Sequence, residues 1–233
     1  MNVFKSFKNL STLEKCLWSG SILIILTAFL LLGNKDYMTL TASLIGATAL
    51  IFVAKGDVIG QVLTVVFSIF YAIISWQFHY YGEMLTYLGM TAPIAAASII
   101  TWVRNPYSEH EVKVKVLGAN AWWTLLGATA AVTAAFYFAL KAFDTPNLLF
   151  STISIATSFL ASSLMLFRSA YYALAYGLND IVLIILWVLA SINDTIYIPM
   201  VLCFVIFFLN DMYGFINWRK TLRRQLRRSN DSV

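Results

Sequence analysis

Residues 176–187 read Tyr-Gly-Leu-Asn-Asp-Ile-Val-Leu-Ile-Ile-Leu-Trp. Asn179 and Asp180 stand alone in an otherwise apolar run. The same tripeptide, Leu-Asn-Asp, returns in residues 207–215, Phe-Phe-Leu-Asn-Asp-Met-Tyr-Gly-Phe. A helix needs about 20 apolar residues to cross a hydrocarbon core about 30 Å thick, and both stretches lie inside runs of that length. Polar residues in such a setting are costly and must face protein or water.

Working outward, the chain shows eight such runs, roughly 16–33, 38–54, 57–79, 84–103, 120–140, 146–167, 169–190 and 195–218. Turn-forming stretches separate them: Gly33-Asn34-Lys35-Asp36, Lys55-Gly56-Asp57, Tyr81-Gly82-Glu83, the polar stretch 104–119, Asp144-Thr145-Pro146, Arg168 and Asn193-Asp194. The first run is too long for a signal-peptide core and lacks a small-residue cleavage site, so it reads as a span. Composition agrees. The chain has 233 residues, 60% hydrophobic and 12% charged, where a soluble domain carries about a quarter charged residues. The expected fold class is an all-α integral membrane protein with eight transmembrane helices.

Charge sets the expected orientation. With both termini on one side, that side holds 14 of the 16 basic residues, and only Lys35 and Lys141 fall on the other. The positive-inside rule then places both termini in the cytoplasm. The six cations at Arg219, Lys220, Arg223, Arg224, Arg227 and Arg228 follow a span directly. They read as an anchor on anionic membrane lipid, not as a nucleic-acid site.

The spacing of the spans suggests internal organisation. Residues 1–36 hold the N-terminus and an additional span, 37–104 a first three-helix bundle, and 105–144 a cytoplasmic loop and linker helix. Residues 145–218 form a second three-helix bundle and 219–233 a basic tail. Gly46-Ala47-Thr48 echoes Ile155-Ala156-Thr157, and Trp102-Val103-Arg104 echoes Trp218-Arg219-Lys220. One span between two triplets gives both the same orientation. This 3+1+3 plan predicts parallel repeats, with substrate between them near the midplane.

Asp180 lies about 11 residues into its run, roughly 16 Å at 1.5 Å per residue, near the bilayer middle. Trp187, seven residues on, shares its helical face. Asn179, Asp180 and Trp187 are the leading substrate-binding residues. Asn210 and Tyr213, Tyr71, Trp76 and Gln77 follow, with Glu83 and Tyr87 at the outer mouth and Pro93 and Pro199 as hinges. Each has a plainer reading. Asn210 serves equally as a helix–helix contact, and the small residues of span 4 read more readily as close helix packing. Trp102, Trp218, Trp122 and Trp123 at span ends read as interface anchors.

Several chemistries find no motif. The sequence has no H-E-x-x-H, no G-x-S-x-G and no Gly-rich phosphate loop. Cys16 and Cys203 suggest neither a disulfide framework nor a thiolate site. No cofactor or enzymatic activity is implied. Aromatic faces with amides and carboxylates suit a flat, polar, cationic ring compound.

Tyr81-Gly82-Glu83-Met84 opening span 4, Pro93 within it and Trp102 at its end, with Leu-Asn-Asp, Tyr213-Gly214 and Trp218 in span 8, together resemble the PnuC family of vitamin transporters. The resemblance covers about residues 38–220. It implies an architecture similar to the SWEET sugar transporters and a place in the bacterial inner membrane. It also implies uptake of nicotinamide riboside by facilitated diffusion, trapping by a separate cytoplasmic nucleoside kinase, and a homotrimer. Many family members close the first triplet with Trp-x-x-Trp. Here Ser98-Ile99-Ile100-Thr101-Trp102 carries one tryptophan, which leaves thiamine and riboflavin as alternative substrates. A proton-coupled carrier, in which Asp180 or Asp211 takes a proton each cycle, is the alternative mechanism.

Overall fold

In a computed structural model, residues 3–31 and 36–230 are described. The turn expected at Gly33-Asn34-Lys35 lies outside them. Among the described residues, eight helical segments are long and apolar enough to cross a membrane, in the order of the eight runs. A short helix α1 (Val3–Lys8) precedes α2 (Thr12–Leu31), α3 (Tyr37–Lys55) and α4 (Val58–Gln77). The fourth span is broken into α5 (Tyr81–Thr86), a wide turn (Tyr87–Thr91) and α6 (Ala92–Val103). Then come α7 (Ala119–Ala142), α8 (Leu148–Leu166), α9 (Tyr172–Asn193) and α10 (Ile198–Asn230).

Local chemistry explains where the helices begin and end. α2 starts four residues before the apolar run because Ser11 and Glu14 form a reciprocal capping box, at 2.6 and 3.2 Å. Asp36 accepts from the amides of Met38 and Thr39 to cap α3. Gly56, at φ +83°, ends α3 in the left-handed conformation that glycine adopts without a Cβ penalty. Asp57 then caps α4 by accepting from Ile59 N. α10 runs through the basic tail to Asn230, because Arg, Lys, Gln and Leu are good helix formers. The connector expected at 104–119 carries a small antiparallel pair, β1 (Pro106–Ser108) and β2 (Glu111–Val112). Gln225 and Arg224 at the end of α10 bond to Glu111, and Gln225 also accepts from Val114 N.

The break in span 4 has a cause. Pro93 has no N–H to give the carbonyl of Gly89, and its ring crowds that carbonyl. The preceding turn widens, and the Ala92 amide bonds to the carbonyl of Tyr87, five residues back. Pro199, also expected as a hinge, sits at the second position of α10. There a missing N–H costs no intrahelical bond, so Pro199 starts a helix and does not interrupt one.

α3 packs on α4 and α4 on α6, while α9 packs on both α8 and α10. α3 against α10 and α6 against α8 join these two groups. α2 lies along α3 and α10, and α7 packs chiefly on α8 with most of its surface outward.

Candidate functional site: a cleft between the two helix groups

At the junction of the two groups lies a narrow cleft. α3 contributes Gly46, Ala49, Leu50 and Val53, and α4 contributes Thr64 and Phe67. The wide turn contributes Tyr87 and Thr91. From the other group come Met165, Tyr172, Tyr176, Asn179, Asp180, Phe204, Phe207 and Asp211. Gly46 is needed here for space: a Cβ on it would overlap the Phe207 ring and press on Phe67.

The polar groups come from α9 and α10. The carboxyl groups of Asp180 and Asp211 face each other at hydrogen-bonding range. Both residues are buried, and Asp180 Oδ2 has no partner. Asn179 is held from α8: its Oδ1 accepts from Thr157 at 2.8 Å, Ser158 at 3.0 Å and Ser154 at 3.4 Å. That leaves its NH2 as the group available to a ligand. The Tyr176 hydroxyl is held by Ser162 at 2.9 Å. Among the described residues, no Lys, Arg or His lines the cleft. Two facing carboxyl groups in a low-dielectric site repel when both are charged, and a cation between them relieves the repulsion.

Aromatic layers close both ends. Away from the termini, Trp187 donates its indole N–H to the Tyr71 hydroxyl at 3.0 Å. The Tyr71 ring lies 4.2 Å from that of Tyr87. Toward the termini, Trp102 and Trp218 bond across the junction from beside Met165 and Val53.

The expected site residues divide. Asn179, Asp180 and Tyr87 line the cleft, and Trp187 and Tyr71 form its end wall. Asn210 points away, donating to Ser21 of α2 at 3.0 Å and to the carbonyl of Ile206. The Tyr213 hydroxyl donates to Glu14 of α2 at 3.1 Å. Asn and Asp are adjacent in Leu-Asn-Asp, and neighbours on a helix point about 100° apart. In α10 that turns Asp211 inward and Asn210 outward. Trp76 is 60% exposed, edge-on to Tyr81, and Gln77 is exposed beside it. Glu83 is buried, not open to an outer mouth. Tyr172, Tyr176 and Phe207 went unnoticed in the sequence. Their signal was spacing, at eight and four residues before Asp180 and four before Asp211.

The family described as nicotinamide mononucleotide transporter matches residues 36–220. The chain belongs to this family of membrane transporters. It is 24% identical over 216 residues to a protein of Neisseria mucosa named nicotinamide riboside transporter PnuC, covering 90% of this chain and 82% of that one. A protein of Haemophilus influenzae with the same name is 26% identical over 193 residues, covering 81% and 82%. A solved structure described as the vitamin B3 transporter PnuC superposes with a TM-score of 0.81 at 24% identity, over 93% of this chain and 94% of the other. The protein is a multi-pass membrane transporter.

Proposed function

We propose that this transporter carries nicotinamide riboside into the cell by facilitated diffusion, with alternating access around the cleft. The relatives are named for the riboside and the family for the mononucleotide. One observation favours the riboside: the cleft presents Asp180 and Asp211 and no basic side chain. The pyridinium of the riboside carries a positive charge that the two carboxyl groups would take, while the ring packs among Phe67, Tyr87 and Phe207. The mononucleotide adds a phosphate, which would meet those carboxyl groups with no cation to pair it. The amide of Asn179 suits the carboxamide or the ribose hydroxyls.

The absence of a phosphate-loop motif from the sequence fits passage without nucleotide hydrolysis. Net uptake then requires a cytoplasmic kinase to phosphorylate the product. The inner membrane, with both termini cytoplasmic, suits this role. The outward face of α7, with Trp123 and Phe138 exposed, would meet lipid or a second copy in a homotrimer. The same carboxyl pair supports a second reading, in which a proton loads on it each cycle. Uptake in kinase-free vesicles that collapses with an uncoupler would favour that reading.

Titration calorimetry on the detergent-purified protein tests the substrate. Nicotinamide riboside, nicotinamide mononucleotide, thiamine and riboflavin are compared. Saturable binding of the riboside alone, lost in D180N, supports the reading. Binding of thiamine or riboflavin instead would replace the substrate.

A further inference from the structure

Glu83 is 1% exposed, and among the described residues neither of its carboxyl oxygens has a partner at good hydrogen-bond geometry. It sits in α5 beside Tyr71, Tyr80 and Tyr87. The Ser154 hydroxyl of α8 is a polar neighbour, and it is turned toward Asn179 Oδ1 at 3.4 Å. A buried carboxylate in the first turn of a membrane span is costly without a partner, and ionisable groups within spans tend to mark substrate pathways.

Its position supplies the pathway. Tyr87, one helical turn on, lines the cleft with Asp180 and lies within electrostatic reach of Glu83. Tyr87 also stands on the widened turn before Pro93. Pro93 leaves this turn short of one backbone donor, so it is a softer place in the span than an ordinary helical turn, and such bulges recur at functional sites.

We propose that Glu83 is a second station for a cationic ring, beyond Tyr87 on the side away from the termini. Tyr87 passes the ring between Glu83 and the Asp180–Asp211 cleft. This rests on the reading of the substrate as nicotinamide riboside. In the state described here Tyr87 and Tyr71 separate the stations. When the passage opens, Glu83 meets the incoming pyridinium first, and its unpaired carboxylate selects for positive charge.

Two measurements test this. In proteoliposomes, labelled riboside uptake is inhibited from outside by unlabelled riboside or by its reduced dihydropyridine form, which is neutral and nearly the same shape. E83Q should lower the preference for the cation by about tenfold, equivalent to about 1.4 kcal/mol. Riboside affinity in detergent, which reports the central cleft, should stay within about twofold, since the near-isosteric E83Q changes nothing there. An unchanged preference overturns the proposal.

The second measurement uses the unaltered protein, so it does not depend on E83Q folding. An apolar carbodiimide modifies buried carboxyl groups, and peptide mapping reports each one. Saturating riboside should slow modification of both Glu83 and Asp180, and the neutral dihydro form should spare Glu83 less. Protection of Asp180 without Glu83 sinks this proposal and keeps the substrate reading. Protection of neither, together with no riboside binding, sinks both.

Discussion

The indole rings of Trp102 and Trp218 lie 5.5 Å apart, and each donates its N–H across the junction between the helix groups. Trp102, near the end of α6, bonds the carbonyl of Met165 in the last turn of α8 at 3.2 Å. Trp218 in α10 bonds the carbonyl of Val53 in the last turn of α3 at 2.9 Å. Both rings are buried, at 1% and 2% exposure. They are therefore not interface anchors, a role that Trp123, at 74% exposure, fits. The closing helix of each group is tied to the opening helix of the other.

This brace predicts a coupled loss of stability. W102F and W218F each remove one donor and should each cost about 0.5–1.5 kcal/mol. The double variant should deviate from additivity by about 0.5 kcal/mol or more, because the rings touch. Reversible unfolding in detergent, read as a double-mutant cycle, measures this.

Removing either facing carboxylate should weaken the substrate rather than the fold. D180N and D211N should each reduce riboside affinity by about tenfold or more, at about 1.4 kcal/mol per decade. Their melting temperatures should hold, because the near-isosteric amide keeps a hydrogen-bonding partner for the remaining carboxyl group. Calorimetry with parallel thermal melts reports both quantities.

Gly46 sets the room for Phe207. In G46A the added methyl group meets the Phe207 ring and forces it toward the cleft. We expect a stability cost of about 1–3 kcal/mol from overpacking, together with weaker riboside binding. Melting and calorimetry on the same preparation separate the two effects.

Glu14 is the pin that holds α2. Buried in the structure, it accepts from Ser11 N and Tyr213 Oη and pairs with Lys55 at 3.4 Å. E14Q should lower the melting temperature by removing the charge opposite Lys55, which keeps only the Asn9 carbonyl as a full partner, a loss of about 1–3 kcal/mol. Riboside affinity should change little, because none of these groups lines the cleft. A fall in affinity equal to that of D180N would show that α2 shapes the site.

Much of the architecture was legible because lipid imposes simple rules. Length and apolarity alone marked eight spans, and Asp180 stood out as a carboxylate where charge is expensive. The cleft was only half legible. Leu-Asn-Asp flagged both α9 and α10, but which neighbour turns inward depends on helix rotation, which packing decides. Hence Asp211 faces Asp180 while Asn210 binds Ser21 of α2. Trp76 and Gln77 lie at the end of α4, where the helix stops at Gln77 and leaves them outward. Pro93 and Pro199 looked equivalent as residues. Only their places in their helices, interior against first turn, separate a break from a start.

The central claim is passive carriage of nicotinamide riboside through the Asp180–Asp211 cleft. The most direct measurement is uptake of labelled riboside into liposomes holding only the purified protein, without nucleotide, kinase or ion gradient. The account predicts saturable entry that stops when internal and external concentrations are equal, and that D180N strongly slows. Accumulation beyond equality under an imposed proton gradient, or entry indifferent to D180N, would contradict it.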